Sequence, residues 1–275
     1  MRREIGAAVF LLLLTGQGMA ASNSSVGPSR IMSLKICTDE LLMDLVPPSR
    51  IASVTFLSRE KAALKIWPQA AQIPVNHNSA EEVLVTRPDL ILTDSFTTGQ
   101  MRRILVQSGA RLVEVPPAEN FEQIRAVTRL VGDAVGMRPK AEALIARMDA
   151  DLRDLAAHRL KTMLTVADWG GGGFVRGTGG LFDAMLTAAG GRNIERGSFG
   201  FYDVEALIAA HPDALIYGNT YSGTASLRAD QDLHPALLKR YAGRRITYAA
   251  LYGCGVPQSA AIARQLQDAL LKVQQ

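Results

Sequence analysis

Few residues in this chain have the spacing that catalysis requires. The segment Gly197-Ser198-Phe199-Gly200 is not the glycine–serine–glycine turn of a serine hydrolase, and no histidine pair stands at the helical spacing of metal hydrolases. The glycines between positions 170 and 180 lack the lysine and hydroxyl residue of a phosphate-binding loop, so they predict a flexible loop instead. The sequence therefore predicts no catalytic residues, and a periplasmic enzyme is kept as an alternative.

His77 is the residue best suited to contact a metal-containing ligand, because imidazole binds haem iron and transition-metal ions. An ordinary hydrogen-bonding role is the alternative for this side chain. The other histidines, His158, His211 and His234, are scattered, whereas a bare zinc or manganese site needs several nitrogen or carboxylate ligands together. We therefore predict no resident metal site and no cofactor.

The chain has two cysteines, Cys37 and Cys254, and both fall in loops that follow predicted strands. In an oxidising compartment they could form a disulfide. A thiolate that binds a ligand and two buried thiols that never meet are the alternatives. The sequence leaves the three possibilities open.

Short β-rich runs alternate with helical patterns along the chain, which predicts α/β lobes with parallel sheets covered by helices. The predicted strands are residues 30–35, 51–56, 90–93, 111–115, 163–167, 214–217 and 245–249. The predicted helices are residues 39–45 with Thr38 as N-cap, 79–85 with a Ser79–Glu82 capping box, 99–107, 181–189, 204–210 and 257–273.

Residues 120–158 contain no strand pattern, and their apolar residues follow helical spacing with interruptions at Gly136 and Pro139. This segment predicts a long helical bridge between two Rossmann-like lobes. The N-terminal lobe covers residues 29–119 and the C-terminal lobe residues 159–275, with the ligand cleft between them.

One unit occurs in both lobes. Residues 81–92 and 205–216 each begin with a glutamate, Glu81 or Glu205, that leads a short helix. A Pro-Asp turn follows seven residues later in both, and then a buried strand. The two copies on either side of the bridge indicate two similar lobes.

Residues 30–39, the turn at His77-Asn78 and the repeated unit resemble the solute-binding proteins of ABC importers for iron–siderophore complexes, haem and cobalamin. The resemblance covers nearly the whole mature chain and implies two α/β lobes joined by one rigid long helix, which limits closure. It implies a metal chelate as ligand, with a ferric siderophore as first choice, and an ABC permease dimer as partner. It also implies that Glu81 and Glu205 dock on arginines of the permease; the alternative is that both are first-turn helix acids.

Ligands of open α/β sheets bind at the loops beyond the carboxyl ends of the strands. In this chain those loops carry aromatic rings for a flat or bulky ligand, and Arg59 for an anionic group. The predicted ligand-binding residues are Cys37, Phe56, Arg59, His77, Phe96, Trp169, Tyr221 and Tyr252.

The first twenty residues have the layout of a secretory signal peptide. Arg2 and Arg3 precede an apolar run over residues 5–14, and Gly18-Met19-Ala20 offers a cleavage site. The expected location is therefore the periplasm, with the mature chain starting near Ala21. A monomer is the expected state because it suits the capture and delivery of a ligand. The formal net charge of +4 is not clustered, so nucleic acid is not a predicted partner. A periplasmic ligand sensor with the same cleft is a further alternative.

Overall fold

A computed structural model of the 275-residue chain describes residues 27–95, 99–169, 172–218, 234–248 and 253–275. The predicted signal peptide, Phe96, Tyr221 and Tyr252 lie outside these residues. Within them, the N-terminal lobe has a wholly parallel sheet in the order β3-β2-β1-β4-β5. Its strands are β1 (Ile31–Ser33), β2 (Ile51–Thr55), β3 (Val75–Asn76), β4 (Leu90–Thr93) and β5 (Arg111–Glu114). Its helices are α1 (Ile36–Leu45), α2 (Lys61–Ile66), α3 (Ala80–Thr86) and α4 (Gly99–Gln107).

Two helices form the bridge, α5 (Phe121–Ala134) and α6 (Arg138–Ala157). The interruption predicted at Gly136 is a full reversal of direction, because Gly136 adopts a left-handed φ of 71° and a Cβ at Gly132 would lie 2.5 Å from that of Ala141. Ion pairs from Arg125 to Asp149 and from Arg129 to Glu142 hold α5 against α6.

The 20-residue helix α6 is the element that joins the lobes. Near its start, Lys140 and Arg147 act electrostatically on Asp44 of α1. Near its end, Asp151 and Asp154 pair with Arg264 of the C-terminal lobe. At 1.5 Å per residue the helix is roughly 30 Å long, enough to run along both lobes.

The C-terminal lobe has a mixed sheet in the order β11-β10-β6-β7-β9, with β8 also paired to β6. Strands β7 and β9 are antiparallel to their neighbours, so this sheet is not purely parallel as predicted. The strands are β6 (Leu164–Trp169), β7 (Phe174–Arg176), β8 (Gly191–Asn193), β9 (Phe199–Phe201), β10 (Ala214–Gly218) and β11 (Arg245–Tyr248). The helices are α7 (Leu181–Ala188), α8 (Val204–Ala209), α9 (Pro235–Arg240) and α10 (Ser259–Val273).

The repeated unit is present in both lobes as α3 followed by β4 and as α8 followed by β10. A residue with a left-handed φ precedes the proline in each unit: Arg87, directly after α3, has a φ of 46°, and His211, two residues after the end of α8, has a φ of 50°. The aspartate that follows the proline then accepts hydrogen bonds at the start of the lobe's central strand. Asp89 accepts from the backbone N–H of Ser29 at 2.6 Å, and Asp213 accepts from that of Thr165 at 2.6 Å.

Predicted helix starts agree with the structure except at α1, which begins earlier, and at α10, which begins at Ser259 rather than at residue 257. The Ser79–Glu82 capping box is confirmed at the start of α3. Thr38 is not an N-cap, because α1 begins two residues earlier at Ile36. Its hydroxyl instead bonds the Lys35 carbonyl oxygen at 2.9 Å and the Ser33 hydroxyl at 2.7 Å, which fixes the turn from β1 into α1.

Candidate ligand-binding site

A cavity of about 370 Å³ lies between the two lobes. The N-terminal lobe lines it with residues that follow the carboxyl ends of β1, β4 and β5. Strands β1 and β4 are neighbours in the sheet whose connections leave in opposite directions, and such a switch point is where open α/β sheets bind ligands. The lining residues from this side include Lys35, Cys37, Thr38, Asp94 and residues 115–119, and Lys35 Nζ lies 3.5 Å from Asp94 Oδ1.

Arg176 at the end of β7 is the principal cation of the opposite wall. Its Nε donates to Asp168 and its Nη2 donates to the Tyr248 hydroxyl at 2.7 Å. The guanidinium also lies 5.3 Å from the ring centre of Phe182. Arg176, Phe182 and Tyr248 all line the cavity.

The charges around Arg176 are set by burial. Asp168 is 3% exposed, and burial raises its pKa while the positive charge of Arg176 opposes that rise. For Arg176, burial is the largest single effect and disfavours the charged form, but the electrostatic interactions with Asp168 and Tyr248 and the hydrogen bonds to both together raise the pKa. Burial also raises the pKa of Tyr248, so the phenol stays neutral and can accept from Arg176. The result is a fixed guanidinium, 39% exposed, with N–H groups beyond these two bonds available to an anionic ligand.

The two cysteines form a disulfide that crosses from one lobe to the other. Cys37 lies in the first turn of α1, and Cys254 follows β11, with their Cα atoms 5.1 Å apart. Cys37 also lines the cavity, as predicted for a cleft residue. Of the three possibilities that the sequence left open, this structure has the cross-lobe bond.

Carboxyl groups of α1 lie beside the disulfide. Cys37, Glu40 and Asp44 share one helix face by their spacing, and that face meets the segment from Cys254 to Gln258, whose side-chain amide donates to Asp44. Glu40 is fully buried and neither of its carboxyl oxygens has a hydrogen-bond partner within the described residues. Burial, together with the nearby carboxylates of Asp39 and Asp44, raises its pKa well above the usual value.

Asp39 lies next to these groups but points toward β2. It accepts hydrogen bonds from the backbone N–H of Thr55 at 2.9 Å and from the Ser58 hydroxyl at 2.8 Å. Burial nevertheless raises the pKa of Asp39 to about 7, because these bonds only partly offset the loss of solvent. Asp39 therefore fixes the turn after β2 that carries Phe56 and Arg59.

Four other predicted ligand-binding residues fall within the described chain but do not line the cavity. Phe56 stacks on His77 with ring centres 5.3 Å apart, on the sheet edge formed by the ends of β2 and β3. Arg59 donates to the Ile73 carbonyl oxygen at 2.7 Å, so its guanidinium is engaged within its own lobe. Trp169 is 1% exposed and packs in the core of the C-terminal lobe, because it is the last residue of β6 rather than a loop residue.

The two glutamates with a predicted docking role occupy equivalent places. Glu81 lies in the first turn of α3 and Glu205 in the first turn of α8, and both are exposed. The neighbouring Glu82 is engaged in the capping box, and Asp203 caps α8, so neither Glu81 nor Glu205 serves as the cap.

Arg176 and the β7–β9 pair were missed from the sequence. The alternation in Phe174-Val175-Arg176 and in Phe199-Gly200-Phe201 is the signal that could have shown them, since period-two patterns predict strands. The surrounding glycines favoured a loop interpretation instead.

In the part of the chain that the structure describes, no three histidine, cysteine or acidic side chains come together as a set of metal ligands. The same residues contain no helix with the length and apolar character needed to cross a membrane. The cavity, its charged and aromatic walls and the two lobes joined by α6 define a two-lobe ligand-binding protein.

Comparisons with known proteins agree with this class. The family model described as periplasmic binding protein matches residues 59–231, which is more than half of the chain. The chain therefore belongs to the periplasmic binding protein family, a family of binding proteins rather than enzymes. Its function is accordingly ligand binding, as the sequence predicted.

Individual relatives are distant. An uncharacterized ABC transporter substrate-binding lipoprotein of Bacillus subtilis (strain 168), YvrC, is 22% identical over 212 residues, covering 71% of this chain and 67% of the relative. The apo form of the periplasmic haem-binding protein RhuT from Roseiflexus sp. RS-1 has a TM-score of 0.73 at 23% identity, covering 90% of this chain and all of that one. The periplasmic vitamin B12 binding protein BtuF of Vibrio cholerae has a TM-score of 0.67 at 15% identity, covering 90% and 99%. These two structures share the fold of this chain.

Proposed function

We propose that this protein captures a metal chelate in the cavity between its lobes and delivers it to an ABC permease dimer in the inner membrane. The candidate cargoes are a ferric siderophore, cobalamin or haem. The observation that carries the proposal is the cavity itself, which is built from both lobes and contains one fixed, partly exposed guanidinium. The relatives include a haem-binding protein, a vitamin B12 binding protein and an ABC transporter substrate-binding lipoprotein, and they support the same class of cargo.

Arg176 is the residue we assign to recognition of the anionic part of the chelate. Haem carries carboxylates, cobalamin a phosphate and many siderophores carboxylate or catecholate groups. A guanidinium already held by Asp168 and Tyr248 loses little conformational freedom when it binds such a group. Lys35, on the opposite wall, forms an ion pair with Asp94 and adds a second polar group to the cavity.

A thermal-shift screen of the mature protein against ferric siderophores, haem, cobalamin and free divalent metal ions tests this function. A ligand at a hundred times its Kd adds about 2.7 kcal/mol to the free energy of unfolding. For a chain of this size that corresponds to a rise in Tm of roughly 5–10 °C. A shift with one class of chelate, reduced in Arg176→Met, supports the proposal. A shift with free metal ions alone, or with none of the probes, contradicts it.

We further propose that Glu81 and Glu205 dock on the permease. Their support is that both are exposed on equivalent helices of the two lobes, where two charges on a rigid body can fix its orientation on a partner. The double variant Glu81→Lys/Glu205→Lys is expected to bind ligand normally but to lose uptake in vesicles that contain the permease. Glu60→Lys/Asp268→Lys, at one exposed position in each lobe, is the matched control with the same change of charge. Equal loss of uptake in the control would contradict a specific docking role.

We also propose that the signal peptide directs export of the protein. The mature chain then has lobes over residues 29–119 and 159–275, joined by residues 120–158. Mass spectrometry of the protein recovered from the periplasm tests it. A mature N-terminus near Ala21 is expected, and retention of residues 1–20 would contradict it.

A further inference from the structure

The antiparallel pair β7 and β9 presents an exposed aromatic surface. Phe174 is opposite Phe201 in the ladder, and Arg176 is opposite Phe199. Val175 between them is fully buried, so alternation of side chains places the other four on the opposite side of the sheet. We call Phe174, Phe199 and Phe201 the aromatic face.

The three rings of the aromatic face contact one another. The ring centre of Phe174 lies 5.7 Å from that of Phe199 and 5.7 Å from that of Phe201, and the last two are 6.0 Å apart. Phe199 is nevertheless 55% exposed and Phe201 72% exposed. Mutual contacts therefore hold the rings in place while their outer surfaces remain open to a ligand.

The aromatic face continues from the wall of the ligand cavity. Arg176 lies on the same side of the β7–β9 pair as the three rings, and it lines the cavity. Ser198, the residue directly before β9, also lines the cavity. The face therefore begins at the fixed guanidinium and extends outward from it. A ligand whose acidic group reaches Arg176 can lay an apolar part of its structure across the rings.

Resting on the proposed function, we propose that the aromatic face stacks against the flat ring system of a macrocyclic chelate whose acidic substituent binds Arg176. This selects one cargo class, a planar anionic metalloporphyrin. A linear hydroxamate siderophore has no flat aromatic surface, and a corrin ring is less planar and less aromatic. Stacking rewards extended planar π surfaces, so the face discriminates in favour of the porphyrin.

The test is a set of binding titrations followed by quenching of tryptophan fluorescence. The probes are ferric protoporphyrin IX, metal-free protoporphyrin IX and a linear ferric trihydroxamate. The variant is Phe199→Ser/Phe201→Ser, and the matched control is Val106→Ser, an exposed apolar residue of α4 in the other lobe. Circular dichroism and Tm establish that each variant is folded.

The double phenylalanine variant is expected to bind both porphyrins at least tenfold more weakly, since stacking on two rings is lost. Its affinity for the trihydroxamate, and the affinities of the control variant, are expected to stay within twofold of the unchanged protein. Loss with the metal-free porphyrin shows that the rings act on the macrocycle rather than on the iron.

Three results would overturn the inference. The first is an unchanged porphyrin affinity in the phenylalanine variant, and the second is an equal loss of affinity for all three probes. The third is conversion of a dimer to a monomer in that variant without a change in porphyrin affinity. If the unchanged protein binds the trihydroxamate and does not bind porphyrins, this inference fails and the proposed function stands. If it binds no chelate, the proposed function fails as well.

Discussion

Loss of the disulfide between Cys37 and Cys254 is expected to destabilise the whole protein, because the bond closes a very long loop. The cysteines are 217 residues apart and belong to different lobes. The chain-entropy relation gives about 5 kcal/mol at 25 °C for a loop of this length, and native disulfides typically contribute about 2–5 kcal/mol. We therefore expect the double variant Cys37→Ala/Cys254→Ala to lose about 3–5 kcal/mol in the free energy of unfolding. Its Tm should fall by roughly 6–20 °C.

Guanidinium denaturation of the oxidised protein, the reduced protein and the double variant measures this loss. Reductant should lower the midpoint of the unchanged protein and have no effect on the double variant, which controls for other actions of the reductant. Alkylation without reductant should label neither cysteine in the native protein. Labelling of both, or a double variant as stable as the oxidised protein, would refute the reasoning.

Three further predictions concern buried or capping carboxyl groups. Because the folded protein holds the proton of Asp39 up to a pKa of about 7 while the unfolded chain loses it near 4, stability should fall as pH rises from 4 to 7. Asp39→Asn should make that fall shallower by about 1.4 kcal/mol per pH unit, measured by denaturation at a series of pH values; an unchanged slope would contradict the assignment. Glu40→Met should raise the free energy of unfolding by about 1–3 kcal/mol at pH 7.5, because it removes a buried carboxyl group without hydrogen-bond partners, and a destabilised variant would show that the carboxyl is satisfied in solution. Asp89→Ala and Asp213→Ala should each lower the free energy of unfolding by about 1–2 kcal/mol. The two losses should add within about 0.5 kcal/mol in the double variant, because the two aspartates accept hydrogen bonds in separate lobes. Strong coupling would show that the lobes do not fold independently at these positions.

The elements that sequence predicted best are those with strong local signals. The Pro-Asp turns at Asp89 and Asp213 and the capping box at Ser79 depend on residues within one short segment, so spacing alone located them. The two-lobe architecture followed from the repeat on either side of residues 120–158.

The parts that sequence could not predict depend on contacts between distant segments. Arg176 becomes a cavity residue only because Asp168 and Tyr248, from different strands, orient it. The reversal at Gly136 depends on the close approach of Gly132 and Ala141, which no periodicity in either helix reveals. Trp169 was predicted in a loop because a strand end is uncertain by a few residues, and that shift moves the ring from the surface to the core.

The contacts between the lobes also indicate how the cleft can open. The disulfide and the hydrogen bond from Gln258 to Asp44 connect α1 to the segment after β11. The contact of Gly255 with Ala118 connects the segment after β5 to the same segment. A Cβ at Gly255 would lie 2.1 Å from the Ala118 carbonyl oxygen, so the two backbones are in close contact there.

These ties lie beside α6, whose Lys140 and Arg147 act on Asp44. A rotation of the lobes must therefore pivot near this side, since a covalent bond and packed backbones resist separation. The aromatic face of β7 and β9 takes part in none of these ties, so they do not hold it to the N-terminal lobe. Ligand entry past the aromatic face to Arg176 is compatible with these constraints.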